Sequence, residues 1–268
     1  MQNSEYYKNI IKSMRVHKRL GQNFLIDDNV AKAEAAHCSG QRVVELGSGI
    51  GILTKKVCEE AKSVVAVEID PELCNFLDSE LKFENLKLIN SDFFKVDFSK
   101  FGKIDMLASN VPYNLSSKLL MWLSSKGIPA VLCLQKEFVS RMKAQPGSRD
   151  YSRLSVFASL QFEVLEIMDV PAQSFYPVPR VDSEVVYLKS KRAGVDKESF
   201  RIISLIMEHK NRKLRNAIED ASSELKIGKG EARKIGDSLI EKDIRPSKMQ
   251  PMHLLSIARK LSDKLQKL

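Results

Sequence analysis

The chain has 268 residues, of which 43% are hydrophobic and 29% charged, as expected for a globular protein of one or two domains. No apolar stretch approaches the roughly 20 residues needed to cross a bilayer, and the polar first 19 residues do not predict a signal peptide. The four cysteines and four histidines lack zinc-site spacing, so we expect no metal and a cytoplasmic protein with reduced thiols.

The predicted elements begin with alternating strands and helices. Strands are predicted at residues 42–47, 63–69, 86–90, 104–108 and 130–134. Helices are predicted at 52–61, at 116–124, and after the second strand, where Pro71 suits the first turn and Asp70 the N-cap. This alternation predicts an α/β fold with a mostly parallel, doubly wound sheet. Two further strands, 162–170 and 183–190, have no helix between them and predict an antiparallel pair at one sheet edge. A Rossmann-like sheet that ends in this way is typical of class I methyltransferases.

The composition changes after residue 191. Four helical patterns follow, at residues 197–209, 212–225, 231–240 and 252–265, with no strand pattern between them. We predict an α/β domain at residues 1–191, of which 1–20 form an N-terminal extension, and an all-helical domain at 192–268 that begins with a hinge at 192–195.

The net charge of +9 lies in this last part of the chain. Residues 189–268 carry 20 Lys or Arg and 11 Asp or Glu, whereas residues 1–188 are neutral. A neutral body followed by a basic domain favours a polyanionic partner such as RNA. A solvated helical surface would give the same charge pattern.

A glycine-rich turn at residues 47–51 follows the first strand. Its GxGxG spacing lacks the third glycine of the dinucleotide fingerprint, because position 52 is Ile. Glu68 ends the second strand and can accept hydrogen bonds from ribose hydroxyls, and Asp92 after the third strand can accept one from an adenine amino group. Each feature has an alternative interpretation: a structural tight turn for the glycines, a helix N-terminal charge for Glu68 and an Asx turn for Asp92. Because all three features lie at strand ends, together they predict a site for S-adenosylmethionine.

The segment Asn110-Val111-Pro112-Tyr113 follows the fourth predicted strand. The Asn110 side-chain oxygen and the Val111 carbonyl can accept the N–H groups of an exocyclic amine and favour a pyramidal nitrogen that faces a methyl donor. Pro112 biases Val111 towards extended backbone, which fixes that carbonyl's direction. Tyr113 offers a stacking face for an unstacked base. A turn with a core tyrosine is the alternative interpretation.

Five segments, in the same order along the chain, resemble the small-subunit ribosomal RNA adenine N6-dimethyltransferases of the KsgA type. They are residues 17–25, 45–51, 110–113, 151–155 and 175–183, and the later segments 212–216 and 245–246 resemble that family's C-terminal domain. Val111 is a mild departure, since the family usually has Leu or Ile there.

The resemblance implies an enzyme that uses S-adenosylmethionine in ribosome biogenesis. It would dimethylate the N6 amines of two adjacent adenosines in a hairpin loop near the 3′ end of small-subunit rRNA. Its implied donor contacts are Asn23 and Leu25 at the methionine end, Gly47 beside the donor, Glu68 on the ribose, Asp92 on the adenine, and Asn110 on both donor and amine. Asn110, Pro112 and Tyr113 would form the catalytic group, with Phe175 stacking on the base opposite Tyr113.

Two basic segments are predicted to contact RNA. One surrounds an expected mobile loop at residues 145–148 and the other follows the first C-terminal helix; the residues are Arg141, Lys143, Arg149, Arg153, Lys210, Arg212, Lys213 and Arg215. A solvated loop or helix is the alternative for each segment. The expected partner is small-subunit rRNA in a pre-30S-type particle, approached by a monomer with no membrane partner.

Other functions stay open from the sequence. A large-subunit rRNA adenine methyltransferase would share the fold and both sites, although the residues of the motifs and the 245–246 segment favour the small-subunit type. A non-catalytic ribosome-assembly factor could keep the fold, although the intact donor and acceptor motifs argue against it. A nicotinamide oxidoreductase is disfavoured by the missing third glycine and the lack of an evident acid–base residue.

Overall fold

The computed structural model of the protein describes residues 2–14, 22–191 and 195–265. The chain divides into two compact units, Met1–Glu137 with Val164–Ser190, and Phe138–Glu163 with Lys191–Leu268. Residues 17–21 of the first family-like segment and residues 192–194 of the predicted hinge lie outside the described residues.

The first unit contains a sheet whose strands alternate with helices. Its described strands are β1 (Phe24–Leu25), β2 (Arg42–Leu46), β3 (Ser63–Glu68), β4 (Leu86–Asn90), β5 (Met106–Asn110), β6 (Ala130–Gln135), β7 (Phe162–Val170), β8 (Phe175–Tyr176) and β9 (Ser183–Ser190). In the described residues, seven strands form one sheet in the order β4-β3-β2-β5-β6-β9-β7. β2 to β6 pair in parallel, and β9 runs antiparallel to β6. The predicted doubly wound α/β sheet is confirmed, with β9 and β7 at the predicted edge.

The strand order places a topological switch point between β2 and β5. From β2 the chain proceeds outwards through β3 to β4, and β5 then returns to the other side of β2. Ligands of open α/β sheets bind at the carboxyl ends of strands beside such a point. Every residue of β6 except the last is buried, and β2 and β5 are almost as enclosed. The switch point is therefore built on rigid, buried strands.

β5 begins two residues later than the predicted strand at 104–108. The backbone N–H of Asp105 donates to the Arg42 carbonyl at 2.9 Å, and the Asp105 carboxylate accepts from the Arg42 backbone N–H at 3.1 Å. Asp105 therefore hydrogen-bonds to the first residue of β2 but does not itself belong to β5. At its other end, β5 extends to Asn110, which lies opposite Cys133 of β6 and is not the first residue of a loop.

Helices pack around this sheet in the first unit. They are α1 (Gln2–Ser13), α2 (Asp28–Ala36), α3 (Ile52–Glu60), α4 (Pro71–Glu80) and α5 (Ser116–Lys126), followed by α6 (Lys136–Lys143), which continues into the second unit. The predicted cap of α4 is confirmed, since the Asp70 carboxylate accepts from the Glu72 backbone N–H at 3.0 Å and Pro71 occupies the first turn. α2 has an equivalent cap, Asp27, which accepts from the Asn29 backbone N–H.

The second unit is helical and has its own core. Its helices are α7 (Arg153–Gln161), α8 (Lys197–Glu208), α9 (Leu214–Asp220), α10 (Lys229–Asp237) and α11 (Pro251–Leu265). α9 is shorter than the predicted helix at 212–225, because residues 221–227 form turns that include Lys226 at φ 60°. No helix of the described residues is both long and apolar enough to span a bilayer.

Residues 138–163 belong to this second unit, although the sequence placed them before the domain boundary. Tyr151, Val156 and Leu160 are buried in the same apolar cluster as α8 and α11. The Tyr151 hydroxyl also donates to the Met249 carbonyl at 2.8 Å. The domain boundary at 191/192 stays a prediction, but the second core is built from two separate stretches of chain.

Candidate active site

A pocket in the first unit opens at the carboxyl ends of β2, β3 and β5. The predicted residues that line it are Asn23, Gly47, Glu68, Asp92, Asn110, Val111, Pro112, Tyr113 and Phe175. Leu25 instead borders a smaller cavity that shares Asn23, Gly47 and Asn110 with the pocket. The strand-end convergence expected from the sequence is therefore present in the structure.

The glycine-rich turn forms the floor between β2 and α3. Gly47, Gly49 and Gly51 all have positive φ angles, at 73°, 55° and 86°. At Gly51 a Cβ atom would also lie 2.5 Å from a Leu77 methyl group, so with this positive φ any other residue would be strained there. Ile52 at the next position begins α3 directly. The turn exposes bare backbone at Gly47 and Gly49 to the pocket.

Glu68 ties the end of β3 to this turn. One carboxylate oxygen accepts from the Gly49 backbone N–H at 2.9 Å and the other from the Asp70 backbone N–H at 2.9 Å. Burial raises the pKa of Glu68, and these two backbone donors partly oppose that shift. Each carboxylate oxygen can still accept a second hydrogen bond, so Glu68 remains able to bind hydroxyl groups in the pocket.

Asp92 has both the structural role and the position foreseen from the sequence. Its Oδ1 atom accepts from the Phe94 backbone N–H at 3.0 Å and caps a short 3₁₀ turn after β4. The Asx interpretation is therefore correct, yet Asp92 also lines the pocket together with Phe93 and Phe94. The cap fixes the carboxylate beside two aromatic rings, an arrangement that suits a planar heterocycle with an amino group.

The segment before α2 is held against the site by contacts that the sequence did not predict. Phe24 and Leu25 of β1 pair antiparallel with β8, where Leu25 lies opposite Phe175. The Gln22 side-chain amide donates to the Asp70 carboxylate at 3.0 Å. This two-stranded sheet joins the N-terminal motif to the proline-rich connection more than 140 residues later, and so completes the pocket wall.

Asn110 and Val111 stand where β5 leaves the sheet. The Val111 backbone N–H donates to the Cys133 carbonyl at 3.2 Å, and Val111 is only 3% exposed. The Asn110 Oδ1 atom is buried and has no hydrogen-bond partner among the described residues. A buried amide oxygen without a partner carries an energetic cost, so this acceptor is open to an incoming N–H group.

The two aromatic residues of the predicted base site both line the pocket. The Tyr113 hydroxyl and the Ser183 hydroxyl are 2.9 Å apart, which fixes the half-buried Tyr113 ring at the start of β9. Phe175 is only 3% exposed, so its contact with any base would be limited to the part of the ring that faces the pocket. Sequence reasoning did not identify Ser183 as the anchor of Tyr113.

Two buried acids near Asn110 were not predicted as functional. Glu34 of α2 and Glu45 of β2 are both fully buried. Burial raises the pKa of Glu45 to about 8, and burial together with the Glu45 carboxyl raises the pKa of Glu34 well above its usual value. Glu45 belongs to the family-like segment at residues 45–51, whereas nothing in the sequence around Glu34 indicated a function.

The eight residues predicted to contact RNA all belong to the second unit. Four are engaged in ion pairs within it: Arg153 with Glu208, Arg212 with Asp220, Lys213 with Asp243, and Arg215 with Asp237 and Asp243. Lys210 donates to the Arg149 and Tyr151 carbonyls, and the Gly147 backbone N–H donates to the Ser247 carbonyl at 2.7 Å. The loop at 145–148 is therefore hydrogen-bonded at its tip, and the RNA contacts stay a prediction.

The fold and pocket define a class I methyltransferase, which uses S-adenosylmethionine as methyl donor. The structure resembles a dimethyladenosine transferase from Plasmodium falciparum, with a TM-score of 0.75, 26% identity, and coverage of 90% of this chain and 98% of that one. It has the same fold as the 23S rRNA methyltransferase ErmE, with a TM-score of 0.58, 21% identity, and coverage of 88% and 100%. No group of metal-ligating side chains occurs among the described residues.

The chain belongs to the ribosomal RNA adenine dimethylase family, whose model matches residues 13–253. It is similar to the probable ribosomal RNA small subunit methyltransferase A of Methanopyrus kandleri, at 34% identity over 94% of each chain. The protein of the same name from Methanosarcina acetivorans is 38% identical over 90% of this chain and 92% of its own. The protein is thus an S-adenosylmethionine-dependent rRNA adenine dimethyltransferase, as the motif resemblance predicted.

Proposed function

We propose that this enzyme dimethylates the N6 amines of two adjacent adenosines in a hairpin loop near the 3′ end of small-subunit rRNA. The support for the small subunit comes from relatives of that name at 34–38% identity. A large-subunit target is less well supported, because the likeness to a 23S rRNA methyltransferase is one of fold alone. We further propose a pre-30S-type particle as substrate and a monomer as the active form.

The observation that carries this proposal is the buried, unpartnered Oδ1 atom of Asn110 in the pocket wall. Adenine N6 is a poor nucleophile, because its lone pair is delocalised into the ring. Acceptance of one N–H by Asn110 Oδ1 and of the other by the Val111 carbonyl favours a pyramidal nitrogen with a localised lone pair. A monomethylated amine has only one N–H left. In the second round that N–H can be accepted by either the Asn110 oxygen or the Val111 carbonyl.

The remaining pocket residues hold the two reactants in place. Glu68 would accept from the ribose hydroxyls of the donor, Asp92 from its adenine amino group, and Asn23 and Leu25 would contact its methionine end. Tyr113, anchored by Ser183, would stack on the target base, with the exposed part of Phe175 on the other side. These residues place amine and methyl within reach, and such positioning is a large part of catalysis for a reaction without a strong general base.

The donor, when bound, supplies an electrophilic methyl group on a sulfonium. The adenine N6 lone pair would attack the methyl carbon as the carbon–sulfur bond breaks, and the sulfur would leave as a neutral thioether. The nitrogen would then carry a positive charge and lose a proton to water, and a second round would consume a second donor. Asn110 and Val111 stabilise the charge that develops on the amine N–H groups.

This proposal is tested with small subunits isolated from cells that lack the modification. The enzyme and labelled donor are incubated with these subunits or, as a control, with unmodified large subunits. Mass spectrometry of RNA fragments then locates the label. We expect dimethyladenosine at two adjacent positions of one small-subunit fragment. Label on the large subunit, or at a single isolated adenosine, would overturn the substrate assignment.

A further inference from the structure

An exposed loop at residues 177–182 connects two parts of the predicted base site. It follows β8, whose first residue, Phe175, lines the pocket. It ends at Ser183, the first residue of β9, whose hydroxyl lies 2.9 Å from that of the pocket residue Tyr113. The 177–182 loop is therefore joined at both ends to residues that form or anchor the base site.

Both ends of the 177–182 loop are held by hydrogen bonds. Before the loop, β8 pairs antiparallel with β1. At the other end, the Asp182 carboxylate accepts from the Ala172 backbone N–H at 2.9 Å, and the Asp182 carbonyl accepts from the Lys136 backbone N–H at 3.0 Å. Two prolines within the loop restrict it further, because the proline ring fixes φ. A ligand that binds such a preorganised loop pays little conformational entropy.

The side chains of the 177–182 loop face solvent although two of them are apolar. Val178 is 57% exposed and Val181 is 37% exposed, whereas Phe175 just before the loop is 3% exposed. Arg180, between the two valines, is exposed as well and has no ion pair within the described part of the chain. The loop thus presents two apolar side chains and an uncompensated guanidinium beside the base site.

The position of this loop indicates what it contacts. A target adenosine must leave its stack to enter the pocket, so the nucleotides on either side of it lie at the pocket rim. A neighbouring base that has lost its stacking partner exposes an apolar face, and its backbone carries a phosphate. Apolar side chains suit that face, and a free guanidinium suits the phosphate.

We propose that the 177–182 loop binds the nucleotide adjacent to the target adenosine, with Val178 and Val181 against its base and Arg180 on its phosphate. This inference deepens the proposed function and rests on it. Of the described residues that line the pocket, none belongs to the loop. Changes in the loop should therefore weaken the binding of the RNA substrate and leave both donor affinity and kcat unchanged.

Arg180→Gln tests the phosphate contact in the full-length enzyme. The KM for unmodified small subunits is measured at several salt concentrations, with Lys62→Gln as the control, which removes an exposed positive charge just before β3. We expect Arg180→Gln to raise KM by about 3- to 10-fold at low salt. The slope of log KM against log salt should fall by about 0.7, the value for one lost contact to single-stranded phosphate. Lys62→Gln should keep the wild-type slope.

The double variant Val178→Ser with Val181→Ser tests the apolar contact. Its control is Leu165→Ser, which changes an exposed apolar residue of the outer strand β7. We expect KM for small subunits to rise by about 5- to 10-fold in the double variant, because a base loses its apolar support. The thermal midpoint should fall no further than in the control, and calorimetry should show wild-type donor affinity.

Several outcomes would contradict the inference. A wild-type KM in the double valine variant would show that no base rests on the loop. An unchanged salt slope in Arg180→Gln would exclude the phosphate contact and, together with a raised KM in the valine variant, would indicate a protein partner instead of RNA. A fall in kcat or donor affinity together with a lower thermal midpoint would assign the loop a structural role only. Wild-type enzyme that fails to methylate small subunits would instead refute the proposed function, so the two failures are distinguishable.

Discussion

The two ends of the central sheet treat polar groups in opposite ways. At the amino ends, the Arg42 guanidinium makes two hydrogen bonds to the Asp105 carboxylate, at 2.8 and 2.9 Å. The Asn85 side-chain amide donates to the Cys58 and Ala61 carbonyls, both at 2.9 Å. Each of these polar groups has a partner, and the Arg42 side chain lowers the pKa of Asp105.

At the carboxyl ends, polar groups are buried with too few partners. Oxygens of Glu34, Glu45 and Asn110 have no hydrogen-bond partner among the described residues, and burial raises the pKa of both acids. One end of the sheet is thus arranged for stability, and the other retains unmet hydrogen-bonding capacity. Proteins commonly lose stability at functional sites in this way, which marks the carboxyl ends as the reactive end.

The largest effect is expected at Glu45, on the carboxyl-end side of this comparison. Its pKa is about 8 in the folded protein and near 4.5 when unfolded, so the folded state holds the extra proton between these values. Stability therefore falls as pH rises through that window and levels off above it, by up to about 5 kcal/mol in total. In Glu45→Gln the free energy of unfolding should depend less steeply on pH, because the contribution of Glu45 is lost and only that of Glu34 remains. Urea denaturation at pH 5, 7 and 8.5 measures both slopes, and equal slopes would contradict the assignment.

The next effect concerns donor binding. Glu68→Ala should weaken S-adenosylmethionine binding by about 10- to 100-fold, because a buried carboxylate that accepts from hydroxyls is lost and the Gly49 turn loses its anchor. Glu72→Ala removes an exposed carboxylate four residues away and serves as the control. Calorimetry measures both affinities. If the two variants bind the donor equally well, Glu68 has no role in its recognition.

The smallest effect is expected at the amino ends. Asp105→Asn should lower the thermal midpoint by a few degrees at pH 7 and leave methyl transfer per folded molecule unchanged. Because the folded pKa of Asp105 is depressed, its contribution is present above the unfolded pKa and is lost as pH falls through the folded one. The variant and wild type should therefore converge in acid. Asp78→Asn, on the exposed face of α4, is the control, and a matching loss of activity would break the contrast between the two ends.

Much of the carboxyl-end site follows from the sequence, because parallel strands bring their ends to one edge. Glu68, Asp92 and Asn110 each follow an apolar run that could be recognised as a strand. Their convergence therefore needed only the strand order of a doubly wound sheet. The Asx cap at Asp92 was likewise predictable from local chemistry, although the sequence could not show that capping and pocket lining coexist.

Other features depend on contacts between distant residues. β1 and β8 are two-residue strands, too short for any periodicity, and their pairing fixes the N-terminal motif beside Phe175. The buried face of α2 has an ordinary helical spacing, so nothing marked Glu34 as a fully buried acid. The local sequence of α7 likewise cannot indicate which of the two cores this helix joins. The ion pairs of Lys213 and Arg215 also join positions far apart in sequence.

Asn110 provides the most direct test of the claim that the carboxyl-end pocket transfers methyl groups to adenine. Asn110→Ala and the control Asn29→Ala, which changes an amide at the start of α2, are each incubated with unmodified small subunits and labelled donor. Mass spectrometry of the nucleosides should then show dimethyladenosine with Asn29→Ala and at least a ~100-fold loss with Asn110→Ala, while both variants retain RNA binding. Normal methyl incorporation by Asn110→Ala would contradict the account.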